Sequence, residues 1–148
     1  MANPNLLSSG KVSDIYGQGA VYNITLADLQ AIGATTAGNI ILDNLPAGAI
    51  VHLGKIKHSV ALVGAGPVTA ATVRVATANN SYGAAAFDVF QAVSDTACQI
   101  FGPAATTPVA ENENAVTPIY ATVTLTGGNA SGLTAGRIQV WIRYTVLK

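Results

Sequence analysis

Between residues 137 and 146 hydrophobic and polar positions alternate without a break. Ile138, Val140, Ile142, Tyr144 and Val146 share one parity, and Arg137, Gln139, Trp141, Arg143 and Thr145 share the other. Side chains along a β-strand point alternately to the two faces of the sheet, so this segment predicts a strand with one buried and one outward face. Residues 119–126 repeat the pattern, with Ile119, Ala121, Val123 and Leu125 inward and Tyr120, Thr122, Thr124 and Thr126 forming an outward ladder. Further β-favouring runs at 21–26, 38–45, 50–62, 71–78, 87–90 and 96–101 bring the expected total to about eight strands. Turn residues at 45–48, 64–67, 79–83, 102–103 and 127–129 separate them. This is the spacing of an all-β protein, an antiparallel β-sandwich or barrel.

Two stretches depart from simple alternation. Leu26, Leu29 and Ile32 are spaced for one or two helical turns, which Thr25 or Asp28 would cap. The long run 50–62 changes phase, with Val51 and Leu53 on one parity and Ile56, Val60 and Leu62 on the other. That predicts a bulge near Gly54, in a strand long enough to bend from one sheet to the other. Residues 64–67, Gly-Ala-Gly-Pro, read as a hairpin turn, because the Lys-Ser/Thr ending and following helix of a phosphate-binding loop are missing. Ahead of the strands, residues 1–18 are broken by Pro4, Ser8, Ser9, Gly10 and Gly17 and predict an extended N-terminal arm in front of one sandwich domain, 19–148. Such an arm reaches roughly 50 Å. Its apolar residues, Leu6, Leu7, Val12, Ile15 and Tyr16, are the ones expected to contact a neighbouring subunit.

Composition sharpens the picture. A chain of 148 residues fits a single core. Only 9% of its residues are charged, against roughly a quarter in an average soluble domain. Thr, Asn, Ser, Gln, Gly and Ala must therefore cover the surface, as in a protein that packs against others. The seven basic and seven acidic residues cancel and are spread singly along the sequence. No basic stripe is visible, and no nucleic-acid binding is expected. A near-neutral particle also lacks the self-repulsion that opposes association. The single cysteine, Cys98, excludes an internal disulfide framework and reads as a small buried hydrophobe. No apolar stretch approaches the roughly 20 residues of a membrane helix, and residues 1–10 lack a secretory pattern, so the expectation is a soluble chain with no membrane partner.

Catalytic chemistry finds little support. His52 and His58, the two histidines, have no Cys, Asp or Glu at ligand spacing, so neither a metal nor another cofactor is expected. Asp43, Asp88, Asp95, Glu111 and Glu113 lie in separate segments, and residues 111–114 read as a solvated loop. No Gly-x-Ser-x-Gly element occurs, and a non-enzymatic protein is expected. What stands out is the outward face of the last strand, with Arg137, Trp141 and Arg143. Together with Tyr120 these form the candidate partner interface, since Trp, Tyr and Arg combine large contact area with directional hydrogen bonds.

Three segments carry a resemblance: 45–62 (LPAGAIVHLGKIKHSVAL), 70–79 (AATVRVATAN) and 121–144 (ATVTLTGGNASGLTAGRIQVWIRY). Across most of 38–146 the chain resembles virion proteins of tailed bacteriophages, namely capsid decoration or cement subunits and related sandwiches of head fibres and tail tips. The resemblance implies a jelly-roll sandwich, a homotrimer, seated on the outside of an icosahedral capsid. There it would clamp adjacent major capsid proteins against internal DNA pressure. Its partners would be the major capsid protein and copies of itself, and it would be made in the bacterial host cytoplasm. A second reading is a receptor-binding head-fibre or tail-tip module for a host glycan, for which Tyr82 with Asn79 and Asn80, or Trp141 with its arginines, would supply the contacts. A cupin-like metal enzyme would need a carboxylate partner that the histidines lack.

Overall fold

The structure, a computed structural model, describes residues 12–14, 17–64, 68–77, 81–88, 98–101 and 116–146, with residues 12–14, 17–18, Leu53, 81–88 and 98–101 described by their backbone alone. The strands are β1 (Val12–Asp14), β2 (Gly17–Ile24), β3 (Ala37–Leu45), β4 (Ala49–Gly64), β5 (Ala70–Thr77), β6 (Ser81–Asp88), β7 (Cys98–Phe101), β8 (Thr117–Thr126) and β9 (Leu133–Val146). One short helix, α1 (Leu26–Gln30), follows β2. The pairings are antiparallel, and they build a five-stranded sheet in the order β1-β2-β9-β4-β7 and a four-stranded sheet in the order β3-β8-β5-β6. With β1 set aside as an added edge, β2-β9-β4-β7 facing β3-β8-β5-β6 is the strand order of a jelly roll. No helix among the described residues is long and apolar enough to cross a membrane.

Alternation builds the core between the two sheets. Ile138, Val140, Ile142 and Tyr144 of β9 and Ile119, Ala121, Val123 and Leu125 of β8 are all buried. Ala20, Tyr22 and Ile24 of β2 and Ala71, Val73 and Val75 of β5 complete the facing rows. The helix is as short as its spacing predicts. Thr25 is its N-cap, and a capping box forms: the Asp28 amide donates to Thr25 Oγ1 at 3.4 Å, and Asp28 Oδ2 accepts from the Thr25 amide at 2.9 Å. The buried Leu29 then covers Gly136, where an added Cβ would lie 3.0 Å from Leu29 Cδ1.

β4 corrects two expectations. It pairs with β7 and β9 along its length and stays in the five-stranded sheet instead of bending into the other. Its first bulge is at His52, two residues before Gly54, because Val51 pairs with Tyr144 and Leu53 with Arg143. A second extra residue, Ser59, stands between the pairs His58 with Ile138 and Val60 with Arg137, and the register shifts again before Val63. Each shift turns the strand over, so Val60 faces out at 45% exposure while Leu62 is fully buried. Finally, β4 and β5 belong to different sheets, so the two strands are not joined as a hairpin; residues 65–67 themselves lie outside the described residues.

Candidate interface on the five-stranded sheet

The outward positions of β2, β9 and β4 line up in rows set by the register. Val21, Trp141 and Lys55 form one row, and Asn23, Gln139 and Lys57 form the next. Gly19 and Arg143 are paired on one side of these rows, and Arg137 pairs with Val60 beyond the other. Val21, Lys55, Lys57, Gln139 and Trp141 line an open groove of about 360 Å³. Trp141 and Arg143 are half-buried, whereas Arg137, Lys55 and Lys57 are exposed. Gly19 lies beside the indole: a Cβ there would sit in ordinary van der Waals contact, 3.5 Å from Trp141 Nε1. Gln139 Nε2 donates to Asn23 Oδ1 at 2.9 Å, which fixes both amides at the groove edge.

The charges on this sheet are segregated. Lys55, Lys57, Arg137 and Arg143 are four of the chain's seven cations, and β2, β4, β7 and β9 contain no Asp or Glu. Asp14, in the edge strand β1, is the acid of this sheet among the described residues. Asp28 serves the helix cap, Asp43 lies on β3 and Asp88 on β6. A basic stripe therefore exists where none is legible along the chain. It is made by pairing β4 with β9, whose cations are about eighty positions apart in sequence.

The proposed interface residues divide between the two sheets. Arg137, Trp141 and Arg143 come together on the outer face of β9, but Tyr120 is on β8 of the other sheet, paired with Ile41 and Ala76. Its hydroxyl donates to the Thr77 carbonyl at 3.1 Å. Lys55, Lys57, Val21 and Asn23 were not among the expected contacts. The shared parity of Lys55 and Lys57 is visible in the sequence, but their placement beside Trp141 depends on the sheet order. Of the arm residues, Val12 pairs with Gly19 through β1, while Leu6, Leu7, Ile15 and Tyr16 lie outside the described residues. Asn79, Asn80, Asp95, Glu111 and Glu113 also lie outside them, and Tyr82 and Cys98 are placed by backbone alone, in β6 and β7.

Among the described residues neither histidine joins a ligand set. His52 is exposed, with Nε2 2.7 Å from Thr145 Oγ1, and His58 is fully buried in the core. No three His, Cys, Asp or Glu side chains gather to hold a metal ion among the described residues.

No protein-family model and no curated protein matches the sequence. Two solved structures are similar to the chain. A chain of the cyanophage Pam1 capsid asymmetric unit matches 99% of this chain and 98% of its own length, at 17% identity and a TM-score of 0.51. A chain of the capsid of Ralstonia phage GP4 matches 100% of this chain and 92% of its own, at 14% identity and a TM-score of 0.53. The fold is shared along nearly the whole of each chain.

Proposed function

We propose that this protein is a non-enzymatic structural component of a bacteriophage virion. In this reading it is a decoration or cement subunit on the capsid exterior that stabilises contacts between major capsid proteins. The observation that carries the reading is the end-to-end likeness to chains of two phage capsids. A surface low in charge, and an outward sheet face presenting Trp141 with cations, suit a protein held by others. Its partners are then the major capsid protein and, in a homotrimer, copies of itself. In this reading Leu6, Leu7, Ile15 and Tyr16 of the arm, with Val12 at the edge strand β1, would reach the neighbouring subunit, and Arg137, Trp141 and Arg143 would supply the second contact. Tyr120, on the other sheet, would need a separate partner surface.

The test compares particles with and without the protein. Those lacking it should release DNA at lower temperature, and adding the purified protein back should restore resistance. Equal resistance of both particles would remove the cement role. The mass of the purified protein in solution tests the trimer separately.

A further inference from the structure

The groove beside Trp141 combines features that together specify an occupant. Its lining is mixed: Val21 and the indole of Trp141 offer apolar surface, the amide of Gln139 is held by Asn23, and Lys55 and Lys57 line one side. These two lysines are two residues apart on one strand and share a face, so their attachment points are about 6.6 to 6.8 Å apart. An extended peptide repeats its side chains on one face at the same spacing, so carboxylates at positions i and i+2 match the two ammonium groups. Arg143 and Arg137 extend the positive field to either end, roughly 20 Å apart along β9. β2, β4, β7 and β9 contribute no carboxylate to this face, and Asp14 of β1 is the acid of the sheet among the described residues.

We propose that the outer face of β2, β9 and β4 is a docking groove for an extended acidic protein segment, with glutamates or aspartates two residues apart meeting Lys55 and Lys57 and an apolar side chain packed on Trp141. The chemistry favours a protein segment over other occupants. A neutral sugar would leave both lysines unmatched. A nucleic acid gains its affinity by neutralising many phosphates, and a face with four cations on a neutral chain provides little of that. Desolvating an aromatic anchor inside a charged rim is how peptide and protein partners are held. The inference rests on the reading of this face as a protein-binding surface, but not on a place in a capsid, so a soluble peptide tests it where a particle tests the cement role.

The chain has one tryptophan, so its fluorescence reports this groove alone. The probe is a short acetylated peptide with two glutamates two positions apart beside a leucine. Its twin carries glutamine in place of both glutamates. The acidic peptide should change Trp141 emission saturably, and the twin should bind at least about tenfold more weakly. Added salt should weaken the acidic peptide selectively. Lys55→Glu with Lys57→Glu should abolish the response, and Lys55→Arg with Lys57→Arg should keep it. Circular dichroism of each variant confirms that these exposed positions leave the sheet intact. No emission change with the acidic peptide, equal binding of the twin, or a stronger response to a DNA duplex or a sialylated oligosaccharide would each overturn the proposal.

Discussion

The Tyr22 hydroxyl donates to Asp43 Oδ2 at 2.8 Å, joining β2 of one sheet to β3 of the other across the edge of the sandwich. Asp43 reaches this position because β3 bulges at Leu42: Ile41 pairs with Tyr120, but Asp43 pairs with the inward-facing Ile119. The extra residue turns Asp43 into the row that also holds the buried Leu45. Asp43 Oδ1 meanwhile accepts from the Asn44 amide at 2.8 Å, so the carboxylate is held from two sides. Tyr22→Phe keeps the ring and removes only the bond between sheets. It should lower the unfolding free energy in denaturant by about 1.5 to 3 kcal/mol, the range for a hydrogen bond to a charged acceptor. An unchanged midpoint and slope would mean that water serves the Asp43 carboxylate equally well once the phenol is gone.

The same contact sets an alkaline limit. Burial first, then the hydrogen bond and negative charge of Asp43, hold the Tyr22 phenol far above its ordinary value of 10.0. In the unfolded chain Tyr22 loses its proton near pH 10, while in the folded chain it keeps it. Above pH 10 the unfolded state therefore binds fewer protons than the folded one, and stability falls as pH rises, by up to about 1.4 kcal/mol per pH unit from this group. Below pH 10 its contribution is constant. In an alkaline titration one tyrosine should ionise only together with loss of the near-ultraviolet signal of the fold, and Tyr22→Phe should remove that coupled step.

How much of this was legible in the sequence depends on whether a feature is local or made by pairing. β8 and β9 were legible because strict alternation needs no knowledge of neighbours, and the Thr25 cap is written within four residues. The bulges at Leu42 and Ser59 were not, because an extra residue is extra only relative to the strand opposite. The same limit hid the cationic face. Lys55 and Arg143 are unremarkable singly, and only the β4 to β9 pairing places them around Trp141. It also explains why Tyr120 reads as a companion of Trp141 in the sequence: both are outward aromatics on well-formed strands, and parity alone does not say which sheet a strand joins.

The phase of β4 can be tested directly. Parity along 56–62 puts Val60 with Ile56 and Leu62, whereas the register shifts place Val60 outside and Leu62 inside. Val60→Thr should change stability by no more than about 0.5 kcal/mol, as surface substitutions usually do. Leu62→Ala should cost about 2 to 5 kcal/mol through lost burial and the cavity left behind. Comparable losses at both positions would mean that the strand does not turn over at Ser59.

Val68 tests the crossing from one sheet to the other. It is buried at 6% exposure where the chain passes between layers, and two glycines make its space. A Cβ on Gly128 would lie 2.5 Å from Val68 Cγ2 and 3.2 Å from its backbone nitrogen, and a Cβ on Gly64 would lie 2.5 Å from Val68 Cβ. Gly128→Ala should therefore destabilise by about 1 to 3 kcal/mol, because the side chain of Val68 can rotate away but its backbone must also shift. Shrinking the neighbour separates crowding from any intrinsic preference for glycine. If crowding is the cause, Gly128→Ala combined with Val68→Ala should cost less than the sum of the two single changes, since the second removes the atoms the first collides with. Additive losses would place the effect in the turn backbone, where Gly127 already adopts a φ of 81°. Denaturant unfolding of the four proteins in that cycle distinguishes the two outcomes.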